Sequence, residues 1–260
     1  MGSSIPILEY HDLGRESGEE QSFHSPYVLD PQKFHDQLKW LQENGFQSIS
    51  IDDLFGDAIT DKSVVLTFDD GHISNYEYAL PLLREFHFQA TFFLVVQFIG
   101  REGYLTIEHI QKMQEAGMHF ESHSLTHPYL LELNKEAMEF EISESKVRIE
   151  KIVKKKVNHF CIPYGFYNKE LFQCVISAGY KSVVTEKMGY YCPNQRPFKV
   201  LPRFTMKAKM TQSDFVHIMC QRRTRMVSRY LVESALHLAK KIFGFKGYMR
   251  LKSLIARSAR

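Results

Sequence analysis

Short apolar runs alternate along this chain with helix-patterned stretches, and that alternation constrains its fold more than any other feature. The runs begin with Ile5-Pro6-Ile7-Leu8-Glu9-Tyr10 and continue at 47–51, 64–68, 90–95, 118–121, 157–162, 180–184 and 199–201. Each is short enough for a buried strand and too continuous for a half-solvated one, which is the signature of parallel strands joined by crossover helices. The 260 residues suffice for one large α/β domain, and closed barrels commonly use about 200–250 residues. The expected fold is therefore a (β/α) barrel, with an open doubly wound sheet as the alternative that alternation alone leaves standing.

Helix ends are well marked. Pro31 to Asn44 forms one pattern that Gly45 terminates, Thr106 can cap a helix ending at Gly117, Asn134 a long charged one, and Asn168 one ending at Gly179. Pro81 lies inside the pattern 75–86 and predicts a kink there. Polar residues favour the barrel: His11, Asp69 with Asp70, His123, the Pro163-Tyr164-Gly165 turn, Thr185 and Arg203 each follow a candidate strand. Barrel enzymes assemble their sites at that end.

Two motifs carry chemistry. Thr67-Phe68-Asp69-Asp70-Gly71 follows the run Val64-Val65-Leu66, and His123-Ser124-Leu125-Thr126-His127 lies downstream. Alone, an Asp-Asp-Gly after a strand is a turn, and two histidines four apart arise by chance. Together they offer two imidazoles, able to face one point from a helical turn, and a carboxylate: a three-ligand set that leaves metal positions open for water and substrate. Such a site hydrolyses.

The formal charge of +3 is unevenly spread. Residues 221–260 hold eleven Lys or Arg against one acid, Glu233, a charge of +10 that leaves −7 for residues 1–220. The segment interleaves these charges with Leu231, Leu236, Ile242, Phe243, Phe245 and Leu251. It reads either as a basic amphipathic segment for an anionic membrane face or as a terminal helix packed on the domain. Nucleic acid is disfavoured because the rest is acidic. Cys161, Cys174, Cys192 and Cys220 lack C-x-x-C spacing, which fits reduced thiols without a zinc knuckle. No secretory leader and no membrane-spanning run is visible, so the expected location is the cytoplasm, at the inner membrane face if the tail binds lipid.

With these motifs, with Phe160-Cys161-Ile162-Pro163-Tyr164-Gly165 after them, the Tyr10-His11-Asp12 opening and Leu201-Pro202-Arg203, residues 5–205 or so resemble the NodB-like polysaccharide deacetylases of carbohydrate esterase family 4. The Tyr-His opening is similar to the poly-N-acetylglucosamine deacetylase branch. The resemblance implies a distorted (β/α) barrel over residues 1–220. It implies a divalent ion, zinc above cobalt, nickel or iron, held by Asp70, His123 and His127, with Asp69 as general base. It also implies an oxyanion donor at the Tyr164 backbone in the Pro163-Tyr164-Gly165 turn. The late Leu-His motif of many members is missing, and the Tyr-His-opening branch places the acid at that histidine, so the resemblance makes His11 the candidate acid, or else a residue that only hydrogen-bonds the barrel mouth. Cys161 stands where much of the family has an Arg, so Arg203 is the substitute for orienting Asp69, or else a structural salt bridge. The family's tryptophan-bearing motif is also missing; the only Trp is Trp40.

The implied function is removal of N-acetyl groups from an N-acetylhexosamine polymer or its lipid-linked precursor. The alternatives are a catalytically silent glycan-binding protein on the same fold, and an O-acetyl esterase or deformylase using the same site.

Overall fold

The computed structural model describes residues 4–14, 26–56, 59–193 and 199–221, with Gly247. In chain order the elements are β1 (Ile5–Tyr10), β2 (Asp12–Leu13), β3 (Val28–Leu29), α1 (Pro31–Glu43), β4 (Gln47–Ser48), β5 (Ser63–Phe68), α2 (Leu80–Glu85), β6 (Thr91–Leu94), α3 (Ile107–Glu115), β7 (His119–Ser122), α4 (Lys135–Val153), β8 (His159–Cys161), α5 (Lys169–Ser177), β9 (Ser182–Val184), β10 (Tyr190–Tyr191), β11 (Lys199–Leu201), β12 (Phe204–Thr205) and α6 (Gln212–Met219).

Strands β1, β5, β6, β7, β8, β9 and β11 lie side by side in that order, all parallel. At Pro202-Arg203 the chain leaves β11 at one edge, and β12 then pairs in parallel with β1 at the other, Leu8 opposite Phe204 and Glu9 opposite Thr205. That step makes a nearly closed barrel of an open sheet. Alternate residues of each strand point inward. Ile5, Ile7, Val65, Phe93, Cys161, Val184 and Leu201 join one buried apolar cluster inside the barrel.

The caps form as the sequence predicts. Side chains of Thr106, Asn134 and Asn168 accept backbone N–H groups of the first turns of α3, α4 and α5, and Asp30, outside the caps predicted from the sequence, does the same for α1. One expectation changes. The strand expected over 47–51 ends at Ser48, because the backbone N–H and hydroxyl of Ser50 donate to Asp53 Oδ2 at 2.8 and 2.7 Å and wind the chain into a 3-10 turn. The disturbance expected at Pro81 takes the form of a wide π-helical turn: residues Asn75–Ala79 run, with Ala79 and Leu80 in the right-handed helical region, directly into α2, whose first turn holds the proline.

The chain divides into two compact units, residues 1–215 and 216–260. The barrel belongs to the first. The basic segment 221–260 lies, but for Gln221 and Gly247, outside the described residues. Among the described residues no helix is long and apolar enough to cross a membrane.

Candidate metal centre and active site

The two histidines of the His123–His127 segment meet, though not from a helical turn. After β7 the chain takes an irregular loop with Ser124 at φ 73° and His127 at φ 61°. The loop is held from α4, where Glu141 Oε2 accepts the N–H groups of Leu125 and Thr126 at 3.0 and 2.9 Å and Oε1 the Thr126 hydroxyl at 2.7 Å. Within it, the His127 N–H donates to Ser124 Oγ at 2.9 Å.

These constraints bring His123 Nε2 and His127 Nε2 to 3.2 Å from each other. Asp70 Oδ1 lies 3.5 Å from the first and 3.6 Å from the second. His123 Nδ1 donates to the Cys161 carbonyl at 2.9 Å, which fixes the tautomer and leaves its Nε2 with a lone pair facing the others. Asp70 Oδ1 is buried with no hydrogen-bond partner. Burial, then the neighbouring His123, lowers the His127 pKa to about 4 against the pull of Asp70, so this imidazole is neutral at neutral pH. Metal–ligand bonds of about 2.0–2.1 Å in tetrahedral geometry give ligand–ligand edges of roughly 3.3 Å. The three observed separations fit such a donor set, and an orphaned carboxylate oxygen between two imidazole lone pairs is what a divalent cation would satisfy.

Asp69, the neighbour, is buried beside the same centre, a carboxylate oxygen lying within 4.8 Å of a His123 ring nitrogen and of Cys161 Sγ. Arg203 Nη1 and Nη2 donate to its Oδ1 and Oδ2 at 2.7 Å each, a two-pronged bond, and Nη1 also reaches Thr67 Oγ1 at 3.2 Å. Burial alone would raise the Asp69 pKa, but Arg203 outweighs it and holds the carboxyl below the ordinary range. Cys161, where the resemblance expects an Arg, sits against the same pair, its Sγ 3.4 Å from Asp69 Oδ2 and 3.2 Å from Arg203 Nη2. The guanidinium thus arrives from the β11–β12 step rather than from β8.

His11 follows β1, its carbonyl held by Asn75 Nδ2 at 2.9 Å. One of its ring nitrogens lies within 4.8 Å of carboxylate oxygens of Glu9 and Asp69. Burial would lower its pKa, yet Glu9, Asp69 and Asp70 together raise it above the ordinary histidine value. Tyr27 lies over its ring at 4.8 Å between centroids.

The Pro163-Tyr164-Gly165 turn stands across the triad. Tyr164 adopts φ 61° and its ring meets that of His127 edge-on at 4.7 Å. Gly165 has φ +68°, and a Cβ there would fall 2.7 Å from Glu186 Cβ, so glycine is required twice over. Tyr129 extends this wall, 6.4 Å from Tyr164. On the other side Phe98 lies 6.3 Å from His127 and 4.7 Å from Tyr104.

Glu9 and Glu141 escape a reading of the sequence alone. Glu9 reads there as an irregularity in an apolar strand and Glu141 as one of many charges on a long helix; only the period-2 inward phase of β1, which places Glu9 with Ile5 and Ile7, hints at the first.

Residues 57–183 match the polysaccharide deacetylase family model. The Bacillus subtilis (strain 168) protein YxkH, a polysaccharide deacetylase by name, is 29% identical over 218 residues, covering 82% of this chain and 75% of that one. The poly-beta-1,6-N-acetyl-D-glucosamine N-deacetylase of Staphylococcus aureus (strain MSSA476) is 23% identical over 195 residues, 64% of this chain and 67% of that one. Among solved structures, the Streptococcus pyogenes deacetylase PplD in complex with acetate superposes with a TM-score of 0.78 and 26% identity, covering 84% of this chain and 99% of that chain. The barrel, the motifs at its mouth and these relatives agree with the family model: residues 57–183 carry a polysaccharide deacetylase domain, and the chain around it is similar to polysaccharide deacetylases.

Proposed function

We propose that the chain is a metal-dependent carbohydrate N-deacetylase, hydrolysing the acetamide of N-acetylhexosamine units in a polysaccharide or its lipid-linked precursor. The observation that carries this reading is one juxtaposition: Asp70, His123 and His127 with ligand atoms 3.2–3.6 Å apart, next to an Asp69 locked by two 2.7 Å bonds to Arg203. A divalent ion held by the first three, zinc ahead of cobalt, nickel or iron, would polarise the acetamide carbonyl and acidify water.

The chain's own groups account for the proton transfers. Asp69 keeps lone pairs beyond those Arg203 occupies and accepts one proton from the attacking water, whose oxygen bonds to the carbonyl carbon. The Tyr164 backbone N–H donates to the developing oxyanion. The C–N bond breaks as His11 gives its proton to the nitrogen, releasing acetic acid and a free amine, and the proton on Asp69 returns to His11 through solvent. Tyr164, Tyr129, Phe98 and Tyr104 offer ring faces to a sugar. A polymer of amino sugars is the substrate named for the S. aureus relative.

The test is acetate release from N-acetylglucosamine oligomers, polymeric glycan and lipid-linked glycan by metal-stripped protein reloaded with each metal, against Asp69→Asn. Activity restored by metal and lost in Asp69→Asn supports the reading. Ester cleavage without amide cleavage would favour the esterase, and glycan binding without turnover the silent protein.

A further inference from the structure

Strand β1 carries one charge into the barrel. All six of its residues are buried, five of them uncharged, and Glu9 among them is 1% exposed. A carboxylate taken out of water needs matched partners. Its Oε2 accepts the Thr205 hydroxyl at 3.1 Å and lies 3.3 Å from Arg203 Nη2, while Oε1 lies 3.8 Å from His11 Nε2. The guanidinium is already committed to Asp69 by two bonds. Two carboxylates therefore share one cation, burial raising the Glu9 pKa above the ordinary carboxylate value against the pull of Arg203, and the Glu9 carboxyl faces the His11 ring. That ring presents Nε2 to Glu9, whereas its buried Nδ1 has no hydrogen-bond partner among the described residues.

We propose that Glu9 is a positioning residue for leaving-group protonation: it draws the Nε2 edge of the His11 imidazole toward itself and leaves Nδ1–H as the proton given to the departing amine. This rests on the deacetylase reading. The upward shift of the His11 pKa, in which Glu9 is the largest attractive contribution after the opposing effect of burial, agrees with it. Glu9 also touches Arg203, so its effect must be separated from an effect on the base Asp69. Leaving-group chemistry makes the separation: an amine departs from a tetrahedral carbon only with a proton, a nitrophenolate departs without one, and both reactions need the base.

The experiment uses the full-length, zinc-loaded protein, wild type and Glu9→Gln, on an N-acetylglucosamine oligomer and on 4-nitrophenyl acetate. A general acid contributes roughly 10²–10⁴-fold, and loss of its positioning is expected to lower amide kcat about 10- to 100-fold. The amide-to-ester rate ratio should fall at least about tenfold, with KM for the oligomer little changed, and Glu9→Gln should add nothing further to the amide rate of His11→Ala. Equal losses on both substrates would overturn the proposal by assigning Glu9 to the base or to folding. Wild type that cleaves the ester and not the amide would overturn the deacetylase reading and this one together. If Glu9→Gln fails to fold, Thr205→Val, which removes the hydroxyl from Oε2 and leaves both carboxylates charged, should move the ratio the same way by a few-fold; an unmoved ratio would refute the assignment.

Discussion

At the scale of single residues, the barrel mouth holds groups that would be costly apart. Arg203 is 1% exposed and answers both Asp69 and Glu9. Arg203→Met leaves two buried carboxylates unmatched and is expected to destabilise by about 3–5 kcal/mol, read by urea unfolding, with acetate release abolished. Arg203→Lys retains the charge without the fork; it should recover part of the stability and little of the rate. His127 makes a pH-dependent contribution in the metal-free protein. Its folded pKa is lowered to about 4, by burial first and His123 second, against about 6.5 in an unfolded chain. Between these values the unfolded state binds a proton that the folded state refuses. The stability is thus whole above the unfolded pKa and declines as the pH falls toward the folded one, by up to about 3 kcal/mol. Urea unfolding of metal-free protein across this range should show the slope, and His127→Leu should flatten it.

At the scale of elements, α4 reaches into the site through one side chain. Glu141→Ala strips the acceptor from the N–H groups of Leu125 and Thr126. The cost expected is about 1–3 kcal/mol. Because the loop bearing both imidazoles loosens, zinc affinity measured by chelator competition should fall about 10- to 100-fold. Two turn glycines make a paired test. Gly117 has φ +88° and nothing within 4 Å of a built Cβ, whereas at Gly165 such an atom meets Glu186. Gly117→Ala should cost about 1 kcal/mol from backbone conformation alone. Gly165→Ala should cost more and slow acetate release, since the turn beside Tyr164 must move.

At the scale of the molecule, an acidic body and a basic segment belong to one chain. The +10 of residues 221–260 is expected to bind anionic vesicles, each basic residue near the surface contributing about 1 kcal/mol at most. Truncation after residue 220 should abolish vesicle binding and leave acetate release from soluble oligomers intact; undiminished binding in a co-sedimentation assay would refute a membrane role for the tail.

The sequence by itself determined the order of strands and helices, because burial of both faces of a parallel strand writes itself as a continuous apolar run, and caps such as Thr106 and Asn134 act on residues only three away. It also determined that Asp70, His123 and His127 share one end of the barrel, since each follows a strand. Only the tertiary structure decided what depends on contacts between distant segments. The ring closes through Pro202-Arg203 because β12 finds β1. The fork that holds Asp69 comes from Arg203 and passes Cys161. The two imidazoles converge from a left-handed loop braced by Glu141, where local spacing pointed to a helical turn. Glu9 gains Arg203 and Thr205 as partners from nearly two hundred positions away, and no local pattern encodes a pairing across such a separation.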